Sequence, residues 1–94
     1  MTIEDIKKRI KPFLLRRGVK KAGLFGSVAK GLAREDSDID ILVDFGKENI
    51  SLFDFIGVKQ SLEEALGKKV DLVEYSTIKP LLKKRILSEE VPIL

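Results

Sequence analysis

The chain has 94 residues, of which 44% are hydrophobic and 35% charged, with 18 basic and 15 acidic side chains giving a net charge of +3. That is enough for one domain spanning residues 1–94 and too little for two. The absence of cysteine and histidine excludes disulfides, thiolate chemistry, Cys/His zinc sites and histidine general bases, and leaves chemistry to carboxylates, hydroxyls, Lys/Arg and the backbone.

No apolar run approaches the ~20 residues that cross a bilayer. The early acids Glu4 and Asp5 do not suit a signal sequence, so a cytoplasmic protein without membrane contact is expected. The small basic excess, with both signs interspersed, reads as a solvated surface rather than a nucleic-acid interface.

Thr2 followed by Asp5 reads as a helix cap. Ile3, Ile6, Ile10, Phe13 and Leu14 then recur at helical spacing. Pro12 predicts a kink or restart, and Gly18 a stop. Residues 19–25 read as a strand, Gly26-Ser27 as a turn, 27–32 as a short helix and 33–37 as a polar loop. Residues 38–45 read as a second strand, with Ile39, Ile41 and Val43 alternating against Asp38, Asp40, Leu42 and Asp44.

After a loop at 46–50, Ser51 caps a helix that runs to Leu66 and stops at Gly67. Its core face carries Phe55, Val58, Leu62, Ala65 and Leu66. Residues 69–74 read as a third strand. Ser76 or Thr77 opens a last helix to residue 88, with Pro80 in its first turn. The apolar tail is Val91-Pro92-Ile93-Leu94. The element order predicts an α/β (α+β) fold, a mixed sheet with helices mainly on one face.

Three features carry candidate chemistry. Gly26-Ser27 sits between a strand and a helix, where free N–H groups and a hydroxyl suit phosphate oxygens, although a serine cap after a turn glycine is the commoner meaning. Asp38 and Asp40, two apart on a strand, project to one face. Their charges repel unless a cation neutralises them, and such hard oxygens suit Mg²⁺. The plainer alternative is a pair of solvated acids. Asp71 lies among aliphatic residues, where an acid is costly unless paired or metal-bound, or else faces water from an edge strand.

Taken together, the stretches Leu24-Phe25-Gly26-Ser27-Val28-Ala29-Lys30-Gly31 and Ser37-Asp38-Ile39-Asp40-Ile41-Leu42-Val43 resemble the core of the DNA polymerase beta-like nucleotidyltransferases. The likeness extends through Ser51-Leu52-Phe53-Asp54 and Val70-Asp71-Leu72-Val73 to Arg85-Ile86-Leu87. It is greatest to the minimal nucleotidyltransferases often paired with HEPN-domain proteins in toxin–antitoxin modules.

The resemblance implies nucleotidyl transfer from ATP with two Mg²⁺ ions. It implies that Asp38 and Asp40 bind both ions and that Asp71 binds the catalytic one and helps activate the acceptor hydroxyl. Gly26 and Ser27 would hold the β- and γ-phosphates. Lys30, where many relatives have Arg, would neutralise phosphate, while Val28 replaces another frequent Arg. The implied acceptor is a tyrosine of a HEPN-domain RNase toxin, which AMP would silence. The alternative is a non-catalytic antitoxin that acts by occlusion.

For the Gly-Ser turn and both strand-2 acids to reach one triphosphate, the first two strands should be antiparallel. The helical crossover should make the second and third parallel, with all three aspartates on one open face. Phe53, Ile56, Ile93 and Leu94 are expected either to form an interface or to complete the core. The run Lys83-Lys84-Arg85 suits the negative end of its helix.

Overall fold

The computed structural model describes residues 1–32, 34–46 and 50–94. The chain forms α1 (Ile3–Arg16), β1 (Lys21–Phe25), α2 (Gly26–Ala29), β2 (Ile39–Asp44), α3 (Leu52–Leu66), β3 (Val70–Glu74), a 3₁₀ turn (Tyr75–Thr77), α4 (Pro80–Glu89) and β4 (Val91–Pro92). Among the described residues no helix is long and apolar enough to cross a membrane.

The helix starts follow the capping chemistry. Thr2 Oγ1 accepts from the Asp5 N–H at 3.1 Å, and Asp5 Oδ2 accepts from the Thr2 N–H at 3.0 Å, a reciprocal box. Ser51 Oγ accepts from the Asp54 N–H at 3.0 Å. Gly67 ends α3 in the left-handed region, at φ 65°, which a residue with a Cβ adopts only under strain.

The predicted interruption at Pro12 does not occur, and α1 runs through it. Pro12 and Lys8 are both exposed, so the Lys8 carbonyl that loses its intrahelical donor can turn to water. The last helix starts later than expected. Lys79, held extended ahead of Pro80, cannot continue a helix, so Ser76 and Thr77 fall in the 3₁₀ turn and Pro80 becomes the first helical residue.

The sheet has the order β3-β2-β1-β4. β1 runs antiparallel to β2, and β2 parallel to β3, as the crossover through α3 requires. A fourth strand joins the three that the sequence pattern predicts. The tail turns back so that Gly23 pairs with Pro92 and Leu24 with Val91. Ile93 and Leu94 therefore complete the core instead of forming an interface, whereas Phe53 and Ile56 are exposed, Phe53 at 88%.

One face of the sheet, carrying Ala22, Leu24, Ile39, Ile41, Val43, Val70 and Leu72, packs against Ile6, Ile10 and Leu14 of α1 and Val58, Leu62 and Leu66 of α3. Burying these aliphatic side chains supplies the main driving force for folding, at about 1.5–3 kcal/mol for each Val, Leu and Ile. The second face is not wholly open as predicted. Leu42, on the same face as Asp40 and Asp44, is fully buried. The 3₁₀ turn packs against β2. Glu90 lies over Gly23, where a Cβ would stand 2.6 Å from its Cδ. The Tyr75 hydroxyl donates to Glu90 Oε2, which ties the end of α4 to the end of β3. The end of this face that carries Asp40 and Asp71 keeps an acidic edge.

Candidate functional site

Asp40 and Asp71 come together through strand register. Ile39 pairs with Val70 and Asp40 with Asp71 in the parallel β2–β3 ladder. Two bonds pin the start of that ladder. The Ile39 N–H donates to the Lys69 carbonyl at 2.9 Å, and the Val70 N–H donates to Glu63 Oε2 of α3 at 3.0 Å. A slip of one residue would send Asp71 to the core face. Glu63 thus helps to fix Asp71 in place. The sequence offers no signal for this, because an acid on a helix gives no indication that it will cap a strand.

The turn Phe25-Gly26 lies directly against the acids. Phe25 pairs with Asp40 across the antiparallel β1–β2 ladder. Gly26 has φ 69°, and a Cβ there would collide with the Asp40 carboxylate and stand 3.1 Å from its Cγ. Glycine is required on both counts. Ser27, half-buried, follows in the first turn of α2. That helix is four residues long rather than the six expected, so a full helix dipole does not build up behind the turn.

Burial pushes the Asp40 carboxyl up to about 6, assisted by the charge of Asp71, a side-chain hydrogen bond with it and, last, the charge of Asp38. Asp38 is exposed just ahead of β2. Among the described residues no three acidic side chains already converge on one point. The observed arrangement is a touching pair, Asp40 and Asp71, with Asp38 nearby.

The donors are all carboxylate oxygens, and two of them share space that favours a proton or a cation between them. This hard, anionic set fits Mg²⁺ and suits softer transition metals less. Lys30 caps α2, with its N–H on the Gly26 carbonyl at 3.3 Å, which sets it one turn from the glycine. Its ammonium pairs with Glu89 of α4 at 3.3 Å, a partner the sequence did not announce.

Residues 6–94 match the family model of the nucleotidyltransferase domain. The chain is 54% identical, over the whole length of both, to a Methanocaldococcus jannaschii protein provisionally named a protein adenylyltransferase. It is 44% identical to the protein adenylyltransferase MntA of Thermococcus cleftensis, over 97% of this chain and 95% of that one.

Among solved structures, one provisionally described as a minimal nucleotidyltransferase superposes with a TM-score of 0.83 at 38% identity, covering 98% of this chain and 96% of that one. The same fold recurs in a toxin–antitoxin complex with AMP-PNP, with a TM-score of 0.81 at 24% identity over 94% of this chain and 72% of that one. It recurs again in a complex of a tri-AMPylated Shewanella oneidensis HEPN toxin with its MNT antitoxin, with a TM-score of 0.75 at 22% identity over 97% of this chain and 71% of that one. With its fold and its family both in agreement, the chain belongs to the nucleotidyltransferase-domain family, as a minimal nucleotidyltransferase of the MntA type.

Proposed function

We propose that the chain transfers AMP from Mg²⁺-bound ATP to a tyrosine hydroxyl of a HEPN-domain RNase toxin and thereby acts as its antitoxin. The observation that carries this reading is the in-register Asp40–Asp71 pair, with Gly26 pressed against Asp40. Relatives named as protein adenylyltransferases, and the AMPylated toxin in a structure of the same fold, support the choice of group and acceptor.

In this reading Asp38, Asp40 and Asp71 hold two Mg²⁺ ions. When bound, the ions stabilise charge on the phosphates and lower the pKa of the acceptor hydroxyl. Gly26 lets the backbone approach the β- and γ-phosphates, Ser27 offers a hydroxyl donor, and Lys30 adds positive charge. The acceptor oxygen bonds to the α-phosphorus, the bond to the pyrophosphate oxygen breaks, and the hydroxyl proton leaves towards the exposed Asp71 carboxylate. The side chains supply position and electrostatics, which is most of what phosphoryl-type transfer asks of a protein.

The test is to incubate the chain with α-labelled ATP, Mg²⁺ and a cognate HEPN-domain protein. Label on a tyrosine of that protein is the expected result. A toxin that is bound and silent yet unlabelled would favour occlusion.

A further inference from the structure

Helix α4 packs against α2 and joins it through charge. Glu89 Oε2 lies 3.3 Å from Lys30 Nζ, and Glu89 Oε1 lies 3.8 Å from Arg85 Nε. One carboxylate therefore bridges two cations, one from each helix, with a separate oxygen on each. A carboxylate has the same sign as a polyphosphate, and here it occupies the space between Lys30, whose backbone lies one turn from Gly26, and Arg85 of the helix packed beside it.

The cradle segment Gly26-Ser27-Val28-Ala29-Lys30-Gly31 carries a single cation of its own. A polyphosphate seated on Gly26-Ser27 needs more positive charge than Lys30 supplies, and α4 brings the next one. Arg85 is well suited to the task. Its guanidinium can take two phosphate oxygens at once. Its side chain is 74% exposed and that of Lys30 42%, so both can turn to a ligand without losing core packing. Exposed ion pairs of this kind are weak, and the Glu89 contacts can yield to a more highly charged anion.

We propose that Lys30 and Arg85 form a two-cation clamp for the β- and γ-phosphates, and that Glu89 holds the clamp in the free protein and is displaced when the polyphosphate enters. The proposal rests on the nucleotide reading of the site. It assigns Arg85 as a binding residue contributed by the C-terminal helix and Glu89 as an internal competitor of the nucleotide.

The test is calorimetric titration of Mg-ATP and of AMP into the full chain and its Arg85→Ala and Glu89→Gln variants at low and high salt, with thermal melts to check the fold. Arg85→Ala should weaken Mg-ATP binding about fivefold and Glu89→Gln should tighten it about fivefold. Both effects should shrink at high salt, and AMP affinity should stay unchanged. Mg-ATP binding that ignores Arg85→Ala, or that weakens in Glu89→Gln, would overturn the clamp while leaving the nucleotide site intact. A wild-type chain that binds no Mg-ATP would overturn the site itself, and the clamp with it.

Discussion

Asp40 of β2 and Asp71 of β3 stand opposite each other in a parallel ladder, close enough to share a hydrogen bond, while Gly26 closes on Asp40 from the neighbouring strand. Two carboxylates so placed repel each other in the free protein, and that repulsion is what a bound cation would relieve.

ATP binding should therefore require Mg²⁺. Without a cation, a triphosphate entering beside this acidic edge meets the like charge of Asp38, Asp40 and Asp71. Calorimetry in EDTA should show affinity reduced at least ~10-fold relative to Mg²⁺, an order-of-magnitude expectation from the loss of charge neutralisation. Equal affinity in both conditions would remove the metal from the account.

The free protein should also lose stability as pH rises through the titration of Asp40. Its folded carboxyl titrates at about 6, above the ordinary 3.8, so the folded state holds more protons than the unfolded state between these values. The favourable contribution is fully present below 3.8 and is lost as pH rises through about 6. Asp40→Asn, which cannot ionise, should melt higher than wild type at pH 7 without metal, and that advantage should shrink at pH 4. A melting difference that is the same at both pH values would contradict the repulsive pair.

Gly26→Ala tests the steric fit between the turn and the acid. The added methyl group meets the Asp40 carboxylate on a backbone at φ 69°. It should destabilise the fold by about 1–3 kcal/mol and displace Asp40. Thermal melts and Mg²⁺ titration would check this. A variant with wild-type stability and metal affinity would mean that the turn does not press on the acid.

Glu63 offers a test of strand anchoring. Glu63→Gln keeps a carbonyl oxygen for the Val70 N–H, whereas Glu63→Ala leaves that donor without its partner, at a cost of about 1–3 kcal/mol. Hydrogen exchange at Val70 and Asp71 should quicken in the Ala variant and stay near wild type in the Gln variant. Identical exchange in both would deny Glu63 its role in holding β3.

Much of this arrangement was legible in local patterns. The alternation Ile39, Ile41, Val43 against Asp38 and Asp40 marks a strand with one apolar face, and the crossover through α3 dictates parallel pairing with β3. Ser51 and Gly67 mark the ends of that helix. What escaped is tertiary. A two-residue strand such as Val91–Pro92 has no period to detect, and only its place beside β1 makes it a strand. Leu42 looked like a member of the polar face, and its burial follows from the 3₁₀ turn and Glu90 folding over that part of the sheet. Glu63, Glu89 and Glu90 resemble ordinary surface acids, and each acquires a specific partner only through the fold.

The proposed function requires that the Asp40–Asp71 pair performs transfer and that transfer, beyond mere contact, silences the partner. The most direct measurement incubates the HEPN-domain partner with ATP, Mg²⁺ and either the wild-type chain or Asp40→Asn. The partner is then separated, and its mass and RNase activity are recorded. Removing one charge from the metal set while keeping side-chain size should slow transfer at least ~100-fold without unfolding the sheet. Partner treated with wild type should carry added AMP and stay inactive after separation, while partner treated with Asp40→Asn should be bound but unmodified and regain full activity. Equal and lasting inactivation by Asp40→Asn, with no added mass, would contradict the proposed function.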